Sequence, residues 1–311
     1  MTLGDLRKLF TLIIVSFVTQ SLFAQKESAI KNVFWQPNEL QPGSVILLTV
    51  ELNHPASTVS GSLLGKELLF FHSREAKVWY SLAGVDVATT PGSYDVGIRA
   101  SRSGDRVAHT VKSMEIGSMT FRAGDVSVPE NFVQPDEASQ RKIAADQRLK
   151  KRAFAHFIPT PQWSGDFIKP IDAAPTNSFG MTRIFNEELT SEHRGIDFPV
   201  KEGSPVMSSN SGTVVLARDL FYEGNCVMLD HGQHFFTIYM HLSKIQVREG
   251  QKVRKGQRLG LSGATGRVTG PHLHLGVHWE GADIDPTKLL ALTLPQTDRV
   301  VRIAKPRVKS R

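Results

Sequence analysis

Cysteine is almost absent from this chain of 311 residues, which contains only Cys226. A single cysteine cannot form an internal disulfide, so packing or a bound metal must hold the fold together. Because Cys226 begins the apolar run 226–229, the simplest interpretation is a small buried side chain.

A long apolar run is also missing. The uncharged segment 9–24 follows Arg7 and Lys8, and its apolar core falls short of the about 20 residues that a membrane-spanning helix needs. The segment fits a secretory signal peptide over 1–24, which predicts a periplasmic or secreted protein. Leu22 is larger than the small residue preferred at the −3 position, so an uncleaved membrane anchor is the alternative.

Acidic residues are scarce at the C-terminus, where 293–311 form a basic tail. The whole chain carries a formal charge of +7. We interpret the tail as a solvated segment, with attraction to a polyanionic surface as the alternative. No aromatic residues alternate with its charges, so we expect no nucleic-acid partner.

The region 25–125 reads as short strands separated by turns. Apolar runs at 45–52, 67–72, 77–82, 93–100 and 106–116 alternate with Pro- and Gly-containing turns. Strands at this near-regular spacing predict an immunoglobulin-like β-sandwich. The next segment, 126–160, is a predicted linker with a polar helix over 137–157 that Asp136 would cap, and we expect it to connect domains rather than enter a core.

The region 161–292 is dense in glycine and in short β-patterns. No stretch of helical period interrupts them before 286–290. This predicts a second all-β domain, mostly antiparallel, so that the whole chain belongs to the all-β class.

Seven of the eleven histidines lie between His193 and His278. His272 and His274 flank one residue of a predicted strand, so their imidazoles point to the same face. His193 and Asp197 add an imidazole and a carboxylate, with Gly195 allowing a bend between them. Two imidazoles and one carboxylate leave one open position on a tetrahedral Zn²⁺. Taken singly, the His193–Asp197 pair also fits a salt-bridged surface turn.

His241 ends another apolar predicted strand. A lone strand histidine of this kind is usually a core or edge residue. The motifs gain weight in combination: His-Arg-Gly-Ile-Asp at 193–197, Tyr-Met-His-Leu-Ser at 239–243 and Thr-Gly-Pro-His-Leu-His at 269–274 occur in this order.

Through these motifs, the region from Trp163 to about Leu290 resembles the LytM/lysostaphin-type zinc endopeptidases. The resemblance implies one zinc ion per chain, held by His193, Asp197 and His274. It also implies that His241 and His272 are catalytic residues at the open coordination position. Arg183 and Asn225 are substrate-binding candidates, because they lie near the expected groove.

The resemblance further implies hydrolysis of peptidoglycan peptides, with a D-alanyl–diamino-acid cross-link as our preferred bond. Because no His-Glu-x-x-His motif occurs, an imidazole must act as the base. Which histidine does so is open. The alternatives are a zinc-binding but non-catalytic wall-binding or amidase-activating module, and a structural zinc domain. A regulatory partner, and a sandwich that covers the groove, are further open possibilities.

Overall fold

The computed structural model describes residues 29–72, 76–102 and 107–297. The predicted signal peptide over 1–24 lies outside the described residues, as does the part of the predicted basic tail from Asp298 onward. Within the described ranges, no helix is both long and apolar enough to cross a membrane.

The N-terminal part is a β-sandwich of two four-stranded antiparallel sheets, with strand orders β1-β2-β6-β5 and β4-β3-β7-β8. In immunoglobulin lettering these are A-B-E-D and C′-C-F-G, so the predicted immunoglobulin-like sandwich is confirmed. The strands are β1 (Ile30–Gln36), β2 (Val45–Leu52), β3 (Thr58–Leu63), β4 (Lys66–Leu68), β5 (Phe71–His72), β6 (Val78–Gly84), β7 (Gly92–Ser101) and β8 (Ala108–Ile116).

The single strand predicted over 67–72 is wrong, because the chain changes sheets within it. β4 belongs to one sheet and β5 to the other. Leu68 and Phe71 are both 1% exposed although three positions separate them. A continuous strand places such positions on opposite faces, so the backbone must bend for both side chains to reach the core.

The segment after the sandwich is packed on the C-terminal domain. β9 (Ala123–Val126) pairs in parallel with β10 (Thr182–Phe185), so the predicted boundary at 125 falls inside a strand that belongs with the second domain. A 3₁₀ turn (Glu130–Phe132) and helix α1 (Glu137–Phe154) follow, and the side chain of Asp136 caps α1 by accepting from the Ser139 N–H.

Helix α1 is not the free connector that its polarity predicted. Ala153 is buried in an apolar cluster with Leu216 and Met228 of the second domain, and Leu149 packs against it. Asp146, also buried, accepts a 2.7 Å hydrogen bond from the Phe221 N–H. One narrow stripe of small and apolar residues is therefore enough to dock the helix.

The C-terminal domain is built on a nine-stranded sheet that follows the order β12-β19-β16-β15-β14-β17, with β13, β18 and β20 attached at its sides. A separate hairpin of β10 and β11 pairs with β9. The remaining elements are β11 (Leu189–Glu192), β12 (Ile196–Pro199), β13 (Pro205–Met207), β14 (Gly212–Leu220), β15 (Gly224–Asp230), β16 (Phe235–Ile245), β17 (Lys252–Val253), β18 (Arg258–Ser262), β19 (His272–Trp279), β20 (Ala282–Ile284) and α2 (Pro286–Ala291).

The two domains share one hydrophobic core. Buried residues of the sandwich form a single cluster with Trp163, Trp279 and Ile284 of the second domain. The Trp163 ring meets Phe71 edge-on at 5.4 Å. β2 is buried on both faces because the C-terminal domain covers the outer face of its sheet.

The predicted basic tail begins later than position 293. Leu294 is 5% exposed, and its N–H donates to Asp166 Oδ1 at 2.7 Å. The N–H of Gly165 donates to the Pro295 carbonyl. Residues up to Thr297 therefore belong to the folded domain.

Replacing Trp163 by alanine is expected to lower the free energy of unfolding of the whole chain by about 3–5 kcal/mol, because it opens a cavity in the shared core. Urea unfolding should remain a single transition at a lower midpoint. The matched control is Phe157→Ala, whose side chain is 49% exposed and whose removal should cost about 0.5 kcal/mol or less. Two separate transitions, with only one shifted by Trp163→Ala, would contradict a common core.

Candidate metal centre

Two neighbouring strands bring the predicted metal ligands together. β12 runs antiparallel to β19, and their register places Asp197 directly opposite His274. Side chains of directly opposed residues lie on the same face, about 4.5–5.5 Å apart at Cβ. His193 precedes β12 and reaches the same point from the incoming turn.

The three ligand atoms lie at mutual distances that suit a metal ion. His193 Nε2 is 2.9 Å from His274 Nδ1. Asp197 Oδ1 is 2.9 Å from His274 Nδ1 and 3.2 Å from His193 Nε2. Ligands of a tetrahedral zinc at about 2.0–2.1 Å would be separated by roughly 3.3 Å. The donor set therefore fits a small divalent ion with little adjustment.

Hydrogen bonds from outside the cluster orient two of the ligands. His193 Nδ1 lies 2.8 Å from the Ser178 carbonyl oxygen, which accepts its proton and leaves the lone pair on Nε2. Arg183 Nη2 donates to Asp197 Oδ2 at 2.5 Å, so the other oxygen, Oδ1, faces the imidazoles. Contacts of this kind fix the tautomer and the orientation of metal ligands.

The protonation states also suit a cation. Burial lowers the pKa of His274 to about 4, against the raising effect of Asp197. Burial raises the pKa of Asp197, but hydrogen bonds with His193 and His274 outweigh it and hold that pKa well below its usual range. A neutral imidazole and an ionised carboxylate are the forms that bind metals.

The chain bends at Gly195, as predicted, and the glycine has a second role there. A Cβ at this position would lie 2.4 Å from His274 Nε2 and 2.4 Å from the Leu275 carbonyl oxygen. The glycine is therefore needed because the His274 ring packs directly on its backbone.

His241 stands beside this cluster on a β-bulge. β16 does not end at His241, as predicted, but continues to Ile245, and the register against β15 shifts between Tyr239 and Leu242. His241 itself has a φ of 63°. Bulges commonly redirect a side chain next to a functional site.

The two further imidazoles share one arrangement. His241 Nδ1 lies 2.9 Å from the Thr265 carbonyl, and His272 Nδ1 lies 2.8 Å from the Gly270 carbonyl. Each ring thus donates from Nδ1 and keeps a lone pair on Nε2. Their centroids are 4.9 Å apart. Burial, followed by the charges of His274 and His272, lowers the pKa of His241 to about 3, so this ring is neutral.

The cluster opens into a cleft with two cavities. One, of about 200 Å³, is lined by His193, His241 and His274. The other, of about 420 Å³, is lined by Asp197 and His272. Residues lining both cavities are Arg183, Phe185 and Arg267.

The segment between the domains joins the walls of this cleft. Asn186, in the β10–β11 turn, exchanges two 2.9 Å hydrogen bonds with the backbone of Val128. On the other wall, Lys150 forms an ion pair with Glu223, and Phe132 contacts Phe221 at 5.2 Å.

Residues 191–286 match the family model described as Peptidase family M23. Residues 191–286 therefore form an M23-type domain. All three candidate ligands lie in this M23 domain, so the site and the family match coincide.

Curated relatives match about a third of the chain. The chain is 47% identical over 116 residues to the peptidoglycan DD-endopeptidase ShyA of Vibrio cholerae serotype O1, covering 36% of this chain and 27% of that relative. It is 37% identical over 112 residues to the DD-carboxypeptidase/endopeptidase Mpg of Neisseria meningitidis serogroup B, covering 36% and 26%. The match thus spans about a quarter of each relative's length.

One solved structure extends the likeness beyond the M23 domain. A peptidase M23 from Pseudomonas aeruginosa superposes with a TM-score of 0.61 at 28% identity, covering 81% of this chain and 96% of that one. The sandwich and the M23 domain therefore occur together in that protein as well.

The predicted site residues divide into two groups. His193, Asp197, His274, His241 and His272 meet in one cluster, and their roles in binding metal and in catalysis stay predictions. Arg183 lines the cleft with its guanidinium on Asp197. Asn225 lines neither cavity, and its side chain donates to the Leu242 carbonyl. The substrate-binding roles of Arg183 and Asn225 also stay predictions, and the contacts formed give them positioning and structural roles.

Sequence reasoning missed three groups at this site. The carbonyls of Ser178 and Thr265 carry no signal in the sequence, since every residue has one. Arg267 did carry a signal, because it is a charged side chain in a glycine-containing loop five positions before His272.

Gly195→Ala is expected to weaken zinc binding by about 10- to 100-fold, because the added methyl group displaces the His274 ring. Competition with a chelating dye measures the dissociation constant. Gly97→Ala is the matched control, since its Cβ would meet its nearest neighbour at 3.5 Å in the sandwich. Equal zinc affinities for the two variants would exclude the packing role of Gly195.

Proposed function

We propose that this chain is a zinc-dependent endopeptidase that hydrolyses the peptide cross-links of bacterial peptidoglycan, at D-alanyl–diamino-acid bonds. The observation that carries the proposal is the cluster itself. Three ligand atoms lie within 3.2 Å of one another, and two further imidazoles that donate from Nδ1 lie beside them in an open cleft.

Zinc is the metal that the donor set favours. Two imidazole nitrogens and one carboxylate oxygen would hold the ion, and this donor set is typical of catalytic zinc sites, where three protein ligands leave one position open. When bound, zinc supplies a Lewis acid for the scissile carbonyl and lowers the pKa of a coordinated water.

The protein's own groups supply the proton transfers. His241 and His272 each keep a lone pair on Nε2, so either ring can accept the proton of an attacking water and return it to the leaving amine. Glu192 and Glu223 also line the smaller cavity, but Arg194 pairs with the former and Lys150 with the latter. The imidazoles are therefore the better bases.

The substrate part of the proposal draws on the relatives. The matched proteins of Vibrio cholerae and Neisseria meningitidis are named for DD-endopeptidase and DD-carboxypeptidase action. Peptidoglycan lies outside the cytoplasmic membrane, so the proposal includes export to the periplasm or secretion, with the predicted signal or anchor at 1–24 as the means.

Digestion of purified peptidoglycan should release peptides cut at D-alanyl–diamino-acid bonds, and mass spectrometry of the products identifies the bond. A chelator should abolish the release while far-ultraviolet circular dichroism keeps its β signal. Unfolding on chelation would instead indicate a structural zinc.

Alanine at His241 or His272 should lower kcat/KM by about 10²- to 10⁴-fold with zinc retained, because a positioned acid–base group is lost. His193→Ala should lose zinc as well, which metal analysis measures. His109→Ala, at an exposed position of the sandwich, is the control and should leave both quantities unchanged. Wild-type hydrolysis by His272→Ala and His241→Ala would favour a non-catalytic wall-binding module.

A further inference from the structure

Arg267 lies in the cleft against two aromatic rings. Its guanidinium carbon lies 4.1 Å from the Phe185 ring centroid and 4.6 Å from that of Tyr222. Phe185 belongs to β10, and Tyr222 lies in the turn before β15. The guanidinium thus stacks on aromatic rings from two different elements. Its N–H groups lie in its own plane, so they can still form hydrogen bonds.

The guanidinium has no anionic partner among the residues that the structure describes. Three other arginines of the M23 domain are paired: Arg183 with Asp197, Arg194 with Asp283, and Arg218 with Glu249. The charge of Glu223 acts on Arg267, but the Glu223 carboxylate forms its ion pair with Lys150.

Burial lowers the pKa of Arg267, but a guanidinium remains charged in proteins. A cation that is half-buried and unpaired pays a desolvation cost that an incoming anion would relieve. The cleft therefore contains a positive charge that a negatively charged group of a ligand would neutralise.

The backbone holds this charge in a fixed position. The Arg267 N–H donates to the Tyr222 carbonyl at 2.9 Å. Gly266 has a φ of +76°, and a Cβ there would lie 2.4 Å from the Gly224 nitrogen. At the base of the loop, the His272 N–H donates to the Gly263 carbonyl at 3.1 Å. A group fixed in this way loses little freedom when it binds a ligand.

Arg267 also lies where a substrate must pass. It lines the cavity that contains His193, His241 and His274, and it lines the cavity that contains Asp197 and His272. A peptide that places its scissile bond at the cluster would extend along this side chain.

We propose that Arg267 binds a free carboxylate of the substrate, namely the one on the carbon that carries the scissile nitrogen. The inference rests on the proposed function and deepens it. In a D-alanyl cross-link to meso-diaminopimelate, the carbon attached to the scissile nitrogen bears such a carboxylate. A planar guanidinium binds a carboxylate through two parallel N–H···O bonds. A glycine bridge offers no free carboxylate at this position, so Arg267 selects cross-links to meso-diaminopimelate.

The test uses two cross-linked peptide dimers that differ only in this group, as free carboxylate or as carboxamide. The zinc-loaded wild-type protein should cut the carboxylate dimer with a kcat/KM about 10- to 100-fold higher, as expected for loss of a hydrogen-bonded ion pair. Arg267→Gln should cut both dimers at similar low rates. Arg267→Lys, which keeps the charge without the fork, should recover part of the preference.

Arg218→Gln is the matched control, since it removes an arginine on β14 that lines neither cavity of the cleft. It should keep the full preference. Zinc content and thermal melting of each variant monitor folding, and the wild-type comparison needs no variant at all.

Equal cutting of the two dimers by the wild-type protein would overturn the role of Arg267 while leaving the endopeptidase proposal intact. A preference that survives in Arg267→Gln would overturn it as well. Failure of the wild-type protein to cut either dimer would instead overturn the proposed function, and this inference with it.

Discussion

The pairing of Asp197 with His274 across β12 and β19 is the constraint on which the site depends. The ladder between these strands places a carboxylate and an imidazole opposite each other before any metal binds. A register slip of one residue would turn Asp197 to the other face of the sheet. The neighbouring features serve this pairing: Gly195 leaves room for the His274 ring, Ser178 orients His193, and Arg183 holds the outer oxygen of Asp197.

β19 connects this pairing to the rest of the molecule. His272 and His274 begin the strand, while Val277 and Trp279 near its other end lie in the core shared with the sandwich. The sandwich therefore supports the strand from the end far from the ligands, and none of its described residues lines the two cavities of the cleft. Packing on both sides of β19 explains how a site built from short strands and turns can have a fixed geometry.

Much of this organisation could be predicted from local patterns. Apolar runs between turns predicted four of the eight sandwich strands, β2, β6, β7 and β8. Asp136 predicted the start of α1, and the His-x-His pattern placed two imidazoles on one face. Long-range contacts decided what local patterns could not. The bulge at His241 depends on pairing with β15 and β18. The docking of α1 depends on a few residues of an otherwise polar helix. The chain changes sheets near Phe71 because two apolar side chains must reach the same core. Likewise, only the fold shows that Arg183 is paired with Asp197, whereas Arg267 has no such partner among the described residues.

The contacts of the inter-domain segment have a mechanical consequence. One stretch of chain holds the turn at Asn186 through Val128 and the opposite turn through Lys150 and Phe132. Both rims of the cleft therefore contact the same segment, residues 128–150. Outward movement of either rim would break these contacts, so the segment 128–150 favours a constant width of the cleft.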